Sequence, residues 1–495
     1  MSATTTCPCC HQQTVDGTTS LAIFPSNLVP QAEIELIHNE ASRLQGSIDQ
    51  IRGALAVLFR RLNAIQSATR ALPPETLSHI FQYVCARIEG DTEEGDSTLG
   101  GVSTHTEPSF VLTLGSVSAQ WRDVIRSTPR LWSVLDFKLK PTKLNDHISL
   151  IKHSLIISGS VPLDVTLDFS GLWNYWYQRN HGGRDDECDS IGLIDPSIDD
   201  VLFENMSRME SLHLSVPPPK WITSIPQFSR LSSLSMTMIE RGAAQDLCLV
   251  DCTSLRHLTL IHFGGEIRLP RSPVITSVVL YQVSIDTALE LLFCCQSLIY
   301  YDGSSLIFCP FEPSSQFATP TTLKHLRTFK LDGRRYNKWH DIIMRCLHFP
   351  ALEELHWYRS DAPWPNPDIL ENFFHRLPSV FKTLCFNTVR FFSNRSLINL
   401  FPSALEVECI VLADCDGFFI SEIAQKLVVV RENGPPVFEL FPKLRKLTIV
   451  GSDAMFEAPL GRNQVVVEEL FRMLEKRLKL GDNRFCLEIP SFGVL

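Results

Sequence analysis

The chain has 495 residues, 44% of them apolar and 20% charged, with a formal net charge of −10. That length is too great for one ordinary hydrophobic core and suggests about three domains or one long repeat array, while the composition excludes wholesale disorder. The acidic balance argues against broad nucleic-acid binding, which needs a basic footprint. No apolar run approaches the ~18 residues of a membrane span, so no membrane is expected as a partner.

Residues 1–30 read as a disordered tail without the apolar core of a secretory signal, and an intracellular protein, cytoplasmic or nuclear, is expected. Its 15 cysteines are then expected to be thiols. Cys7, Cys9, Cys10 and His11 are soft metal ligands crowded together, yet two of the cysteines are adjacent and no second cluster follows. Neither a metal nor a cofactor is assigned to them.

Residues 31–69 carry a heptad helix. Ile34, Ile37, Ala41, Leu44, Ile48, Ile51, Leu55, Leu58, Leu62 and Ile65 follow steps of three and four without a break. This is an a/d seam of period 3.5. It serves either a coiled-coil homodimer or packing on its own chain, and the flanking e and g residues decide little between them.

Leu72-Pro73-Pro74-Glu75 then opens a helix. Its prolines suit a helix start, and its apolar stripe is Leu77, Ile80, Phe81 and Val84. Residues 89–108 form a polar, acidic insertion. A helical pattern resumes at Phe110 and runs through Trp121 and Ile125 until Pro129. The residues Leu72-Pro73-x-Glu75-x-Leu77-x-x-Ile80-Phe81, Val117-Ser118-x-x-Trp121-Arg122-x-x-Ile125 and Pro129-x-Leu131-Trp132 resemble the F-box as mushroom-forming fungi write it. The resemblance covers residues 70–132. It implies a small helical bundle that binds a Skp-type adaptor and, through it, a cullin. The adaptor-facing positions carried over by motif are Leu72, Pro73, Leu77, Ile80, Val117 and Trp121. Ala119-Gln120 departs from the Cys-Arg or Cys-Lys pair common before the tryptophan, and the insertion is longer than usual.

Residues 133–495 repeat the unit apolar-x-x-apolar-x-apolar, from Met209-Leu212-Leu214 to Leu444-Leu447-Ile449. There are ten matches, with Leu298-Tyr301-Gly303 the poorest, spaced 20–29 residues apart except for a last step of 37. Trp132-Leu135-Phe137 and the alternating run from Leu163 to Phe169 extend the series toward the N-terminus. Thr287 to Cys295 and Pro367 to Leu377 look helical. The last two apolar residues of each unit sit on a strand and point inward, and neighbouring units bury one another. The pattern resembles irregular leucine-rich repeats, because the usual Asn three residues past the last strand apolar residue is replaced, for example by Pro217, Phe263 and Val283.

The expected fold is α/β: a long N-terminal helix and small helical F-box, then an irregular leucine-rich repeat solenoid with a parallel sheet. Outward strand positions His213, Ser235, Thr259, Lys330, His356 and Thr448 are the candidates for contacting a protein target. Two interruptions, Trp173 to Asp189 and Glu432 to Pro436, and an amphipathic stretch from Val465 to Leu480 lie around the array. No phosphate loop, metalloprotease motif or serine-nucleophile motif is present, so no enzyme is expected. The resemblance implies a substrate-recognition subunit of a Skp–cullin–F-box ubiquitin ligase. A cullin-independent interaction scaffold is the alternative.

Overall fold

The structure, a computed structural model, describes residues 5–6, 13–14, 30–66, 68–88, 108–173, 196–239, 245–307, 319–332, 338–360, 367–389, 406–415, 419–420, 423, 427, 441, 443–450 and 486–488. The Cys7–His11 cluster, nearly all of the acidic insertion, both loop interruptions beyond Trp173, and the stretch from Val465 to Leu480 lie outside these residues. The chain divides into two compact units, one made of residues 1–81 with 112–127 and the other of residues 82–111 with 128–495. No helix among the described residues is long and apolar enough to cross a membrane.

The first unit is helical apart from a short antiparallel strand pair, Thr5–Thr6 with Gln13–Thr14, within the stretch expected as a disordered tail. Helix α1 (Pro30–Gln66) carries the heptad seam. Helix α2 (Pro74–Ile88) starts at a proline whose missing N–H would be unpaired in any helix. Helices α3 (Pro108–Val117) and α4 (Ala119–Arg126) replace the single run expected from Phe110 to Ile125. The break falls at Ser118, whose backbone is extended and whose side chain accepts a hydrogen bond from the Trp121 N–H at 3.1 Å. Spacing of apolar residues alone does not reveal such a break, because Val117, Trp121 and Val124 keep helical intervals across it. Leu77, Phe81, Val124 and Ile125 are buried.

The second unit is mixed α/β, and thirteen parallel strands follow one another across a single sheet in strict chain order. They are β1 (Val134–Lys138), β2 (Leu163–Asp168), β3 (Met209–Ser215), β4 (Ser233–Thr237), β5 (His257–Ile261), β6 (Ser277–Ser284), β7 (Tyr300–Ile307), β8 (Thr328–Asp332), β9 (Glu354–Ser360), β10 (Thr383–Val389), β11 (Cys409–Ala413), β12 (Lys446–Val450) and β13 (Cys486–Glu488). The twelve units read from the sequence coincide with β1 to β12. Returns between strands include α5 (Leu144–Ser158), α6 (Pro196–Phe203), α7 (Pro219–Ser224), α8 (Ile285–Cys294), α9 (Lys338–Cys346) and α10 (Pro367–His375).

Alternation along the strands from β1 to β12, β7 excepted, sends two apolar residues to one face, and these form one continuous core from Leu135 to Ile449. The first apolar residue of each repeat unit is also interior: from Met209 through Leu231, Leu255 and Ile275 to Leu444, none is more than 3% exposed. Apart from Met209, which opens β3, these residues lie just before the strands, where the ladder is already in register; the Ser232 N–H donates to the Glu210 carbonyl at 2.8 Å, and the Arg256 N–H to the Ser232 carbonyl at 2.7 Å.

The missing Asn has a structural counterpart. Val216, His262, Gln282, Thr388 and Asp414 all adopt left-handed backbone with φ between 48° and 56°. Each lies two residues past the second inward residue of its strand. The turn swings the next side chain inward, and Pro217, Phe263, Val283 and Cys415 are buried there. The corner amide stays in the ladder: Val216, His262 and Asp414 donate to the carbonyls of Thr237, Tyr281 and Val450 at 2.7–2.8 Å. A backbone bond thus meets a need that a side-chain amide would otherwise serve. It offsets the ~1–2 kcal/mol that left-handed backbone costs an L-residue.

Candidate functional site

The register of the sheet defines a row of outward side chains. From β1 to β12 it reads Asp136, Thr166, His213, Ser235, Thr259, Val279, Asp302, Lys330, His356, Cys385, Val411 and Thr448. All six residues expected to meet a target fall in this row. His213, Ser235 and Thr259 are consecutive, as are Lys330 and His356, with ~4.8 Å between neighbouring strands. Thr448 is buried, so in this conformation it offers little surface to a partner.

The densest chemistry in the row lies on β7 to β10. The Lys330 ammonium stands 3.2 Å from the Asp302 carboxylate and 5.2 Å over the Tyr300 ring. The Tyr300 hydroxyl donates to the same carboxylate at 3.2 Å. On the next strand the Thr328 hydroxyl donates to Glu354 at 3.4 Å, and Glu354 lies 3.6 Å from His356 Nε2. The His356 ring stacks on Tyr358 with centroids 6.3 Å apart. Sequence reading named Lys330 and His356 but left out Asp302, Tyr300, Glu354 and Tyr358. Asp302 sits in the poorest repeat unit, where Gly303 obscured the strand. The others flank the central row by two residues, and strict alternation would have placed them on the same face.

Burial works to lower the Lys330 pKa, but Asp302 and the Tyr300 hydroxyl outweigh it and hold the ammonium above its ordinary range. Burial raises the Tyr300 and Tyr358 phenols. His356 is held below its ordinary value by burial and then by the Lys330 cation, against the opposing pull of Glu354 and Asp302. The site therefore presents a neutral imidazole beside a neutralised ion pair. A pH dependence follows. The unfolded imidazole takes up its proton near pH ~6.5, which native His356 resists, so the unfolded state binds more protons there and stability falls as pH drops. Replacing His356 with Gln should make the urea midpoint less sensitive between about pH 7.5 and 5.5. Identical pH slopes for wild type and H356Q would refute a neutral native His356.

In the helical unit, Trp121 packs on Phe81, and its neighbour Gln120 reaches the backbone of Leu72. The Trp121 indole packs 4.8 Å from the Phe81 ring and donates to Thr69 Oγ1 at 3.0 Å. Gln120 donates to the Leu72 carbonyl at 3.5 Å. Gln120, which departs from the F-box pattern, thus helps to fix the start of the motif. Pro73 is exposed, Ile80 is 42% and Val117 41% exposed, and Leu72 and Trp121 are half-buried. Leu77, at 1% exposure, belongs to the interior of the unit. A 3.6-residue period identifies an apolar stripe but not which of its members stay outside.

Buried thiols of the second unit are poor nucleophiles. Burial, then neighbouring Cys409, pushes Cys385 up to about 12. Burial likewise raises Cys252 to about 11 and Cys295 to about 12. Among the described residues no group of three or more His, Cys, Asp or Glu is placed to hold a metal ion. No family model matches the chain, and no significant match to it was found among curated proteins.

Proposed function

We propose that this chain is a substrate-recognition subunit of a Skp–cullin–F-box ubiquitin ligase. The helical unit binds a Skp-type adaptor as an F-box, and the parallel sheet serves as a leucine-rich repeat array whose outward row holds a protein target. The observation that supports the reading most is the exposure of apolar side chains at motif positions where an adaptor is expected: Pro73, Ile80 and Val117 stay at the surface while Leu77 and Phe81 fill the interior. Apolar anchors beside a half-buried tryptophan suit an interface centre. Catalysis belongs to other subunits, and this chain raises the target's effective concentration beside the ubiquitin carrier.

The test is affinity capture from cells with wild type and an Ile80→Glu, Val117→Glu variant, with thermal unfolding as a control. The expected result is recovery of a Skp adaptor and a cullin with wild type. Recovery with the variant should fall by at least about 30-fold, the equivalent of ≥2 kcal/mol for a pair of interface anchors, at little change in melting temperature. If wild type recovers neither adaptor nor cullin, the ligase reading fails and a cullin-independent scaffold replaces it.

A further inference from the structure

We infer that α1 is an antiparallel dimerisation helix whose partner is α1 of a second copy of this chain. Eight large aliphatic residues of its seam, from Ile34 to Ile65, are 44–68% exposed. The seam is two positions wide per heptad and unbroken over ten positions, with Ala54 and Phe59 the apolar residues on its flanks. A helix packed onto a globular core shows a broader apolar stripe, whereas this narrow one fits a coiled coil. The helix also needs outside support. Gly46 and Gly53 lie in its interior on the side away from the seam, with no atom within 4 Å of a Cβ placed on either, and each weakens the isolated helix. In such a helix, burial of the apolar face supplies most of the stability. Two seams of this length together bury area on the order of the 1,200–2,000 Å² of a specific dimer.

Side-chain size sets the direction. A parallel pair would place Ala41 opposite Ala41 of the second copy and leave a thin layer. An antiparallel pair centred between Ile48 and Ile51 sets Ala41 against Leu58 and Ile34 against Ile65, so every layer is filled. Charge is compatible: the same register brings Glu40, which already pairs with Arg43 of its own helix at 2.6 Å, near Arg61 at both ends, whereas in a parallel pair Glu40 faces Gln45.

The test uses the full chain. Sedimentation equilibrium should give twice the 55.9 kDa of one chain. Ile48→Asp with Ile51→Asp should return it to monomer, while Val57→Asp, at a 60% exposed position off the seam, should leave the dimer intact with an unchanged melting curve. Orientation is read by oxidising mixed copies: Ala41→Cys with Leu58→Cys should give a cross-linked pair, and Ala41→Cys alone should add none beyond wild type. A monomeric wild type, or a dimer that survives the double Asp change, overturns the seam as the interface. Cross-linking of Ala41→Cys to itself overturns the antiparallel arrangement.

Discussion

Leucine at position 303 is expected to destabilise the sheet severely, and leucine at position 301 in the same chain is expected to restore much of the loss. Gly303 occupies the second inward position of β7, where most other strands carry a large apolar residue. A Cβ there would lie 2.9 Å from the Tyr301 ring and hydroxyl. Tyr301, 1% exposed, turns into the space its neighbour leaves and packs 5.4 Å from Phe329. Gly303→Ala should therefore cost about 1–3 kcal/mol by overpacking and Gly303→Leu more. Tyr301→Leu alone should cost about 2–4 kcal/mol by opening a cavity. The double variant recreates the Leu258-x-Leu260 pattern of β5, so the two changes should couple favourably by well over ~1 kcal/mol in urea unfolding. Simple additivity would show that Tyr301 does not substitute for the missing side chain.

Asp302→Ala should cost about 2–3 kcal/mol and weaken target capture. Removing one partner of a buried pair leaves an uncompensated charge, typically a loss of ~3–5 kcal/mol. The figure is lower here because the side chains of Lys330 and Asp302 keep 21% and 14% of their exposure. Asp302→Leu with Lys330→Met removes both charges at similar volume and should bring stability back near wild type. If the row holds the target, that stable double variant still fails to capture it. Equal capture by wild type and the double variant would move target recognition away from β7 and β8.

Much of the sheet was legible because each unit repeats the same physical demand. Met209, Leu212 and Leu214 are buried for the same reasons as Leu352, Leu355 and Trp357, so period and alternation locate twelve strands. Strand β13 escaped because Cys486-Leu487-Glu488 is only three residues long and does not carry the apolar-x-x-apolar-x-apolar unit. Left-handed corners were invisible: Val216 and Thr388 are β-branched and carry none of the Gly or Asn signals that usually mark such backbone. The candidate site was half legible. The outward row follows from alternation alone, but the grouping of Tyr300, Asp302 and Lys330 depends on register across strands 28 residues apart in sequence. In the helical unit, the motif located Trp121, but neither Gln120 nor Thr69 carried any sign that it would hold that region in place.

Strict chain order across the sheet has a consequence for how such a chain can change. Among the described residues, every strand of this sheet bonds only to its predecessor and successor in it. Contacts are therefore local for so long a sheet, which favours growth from any well-formed neighbouring pair. The number of rungs is likewise set by no closure condition. A unit duplicated or lost between β3 and β12 would shift the remaining rungs along the ladder without asking them to find new partners. The outward row could thus lengthen, shorten or exchange a segment while its left-handed corners and inward pairs stay as they are.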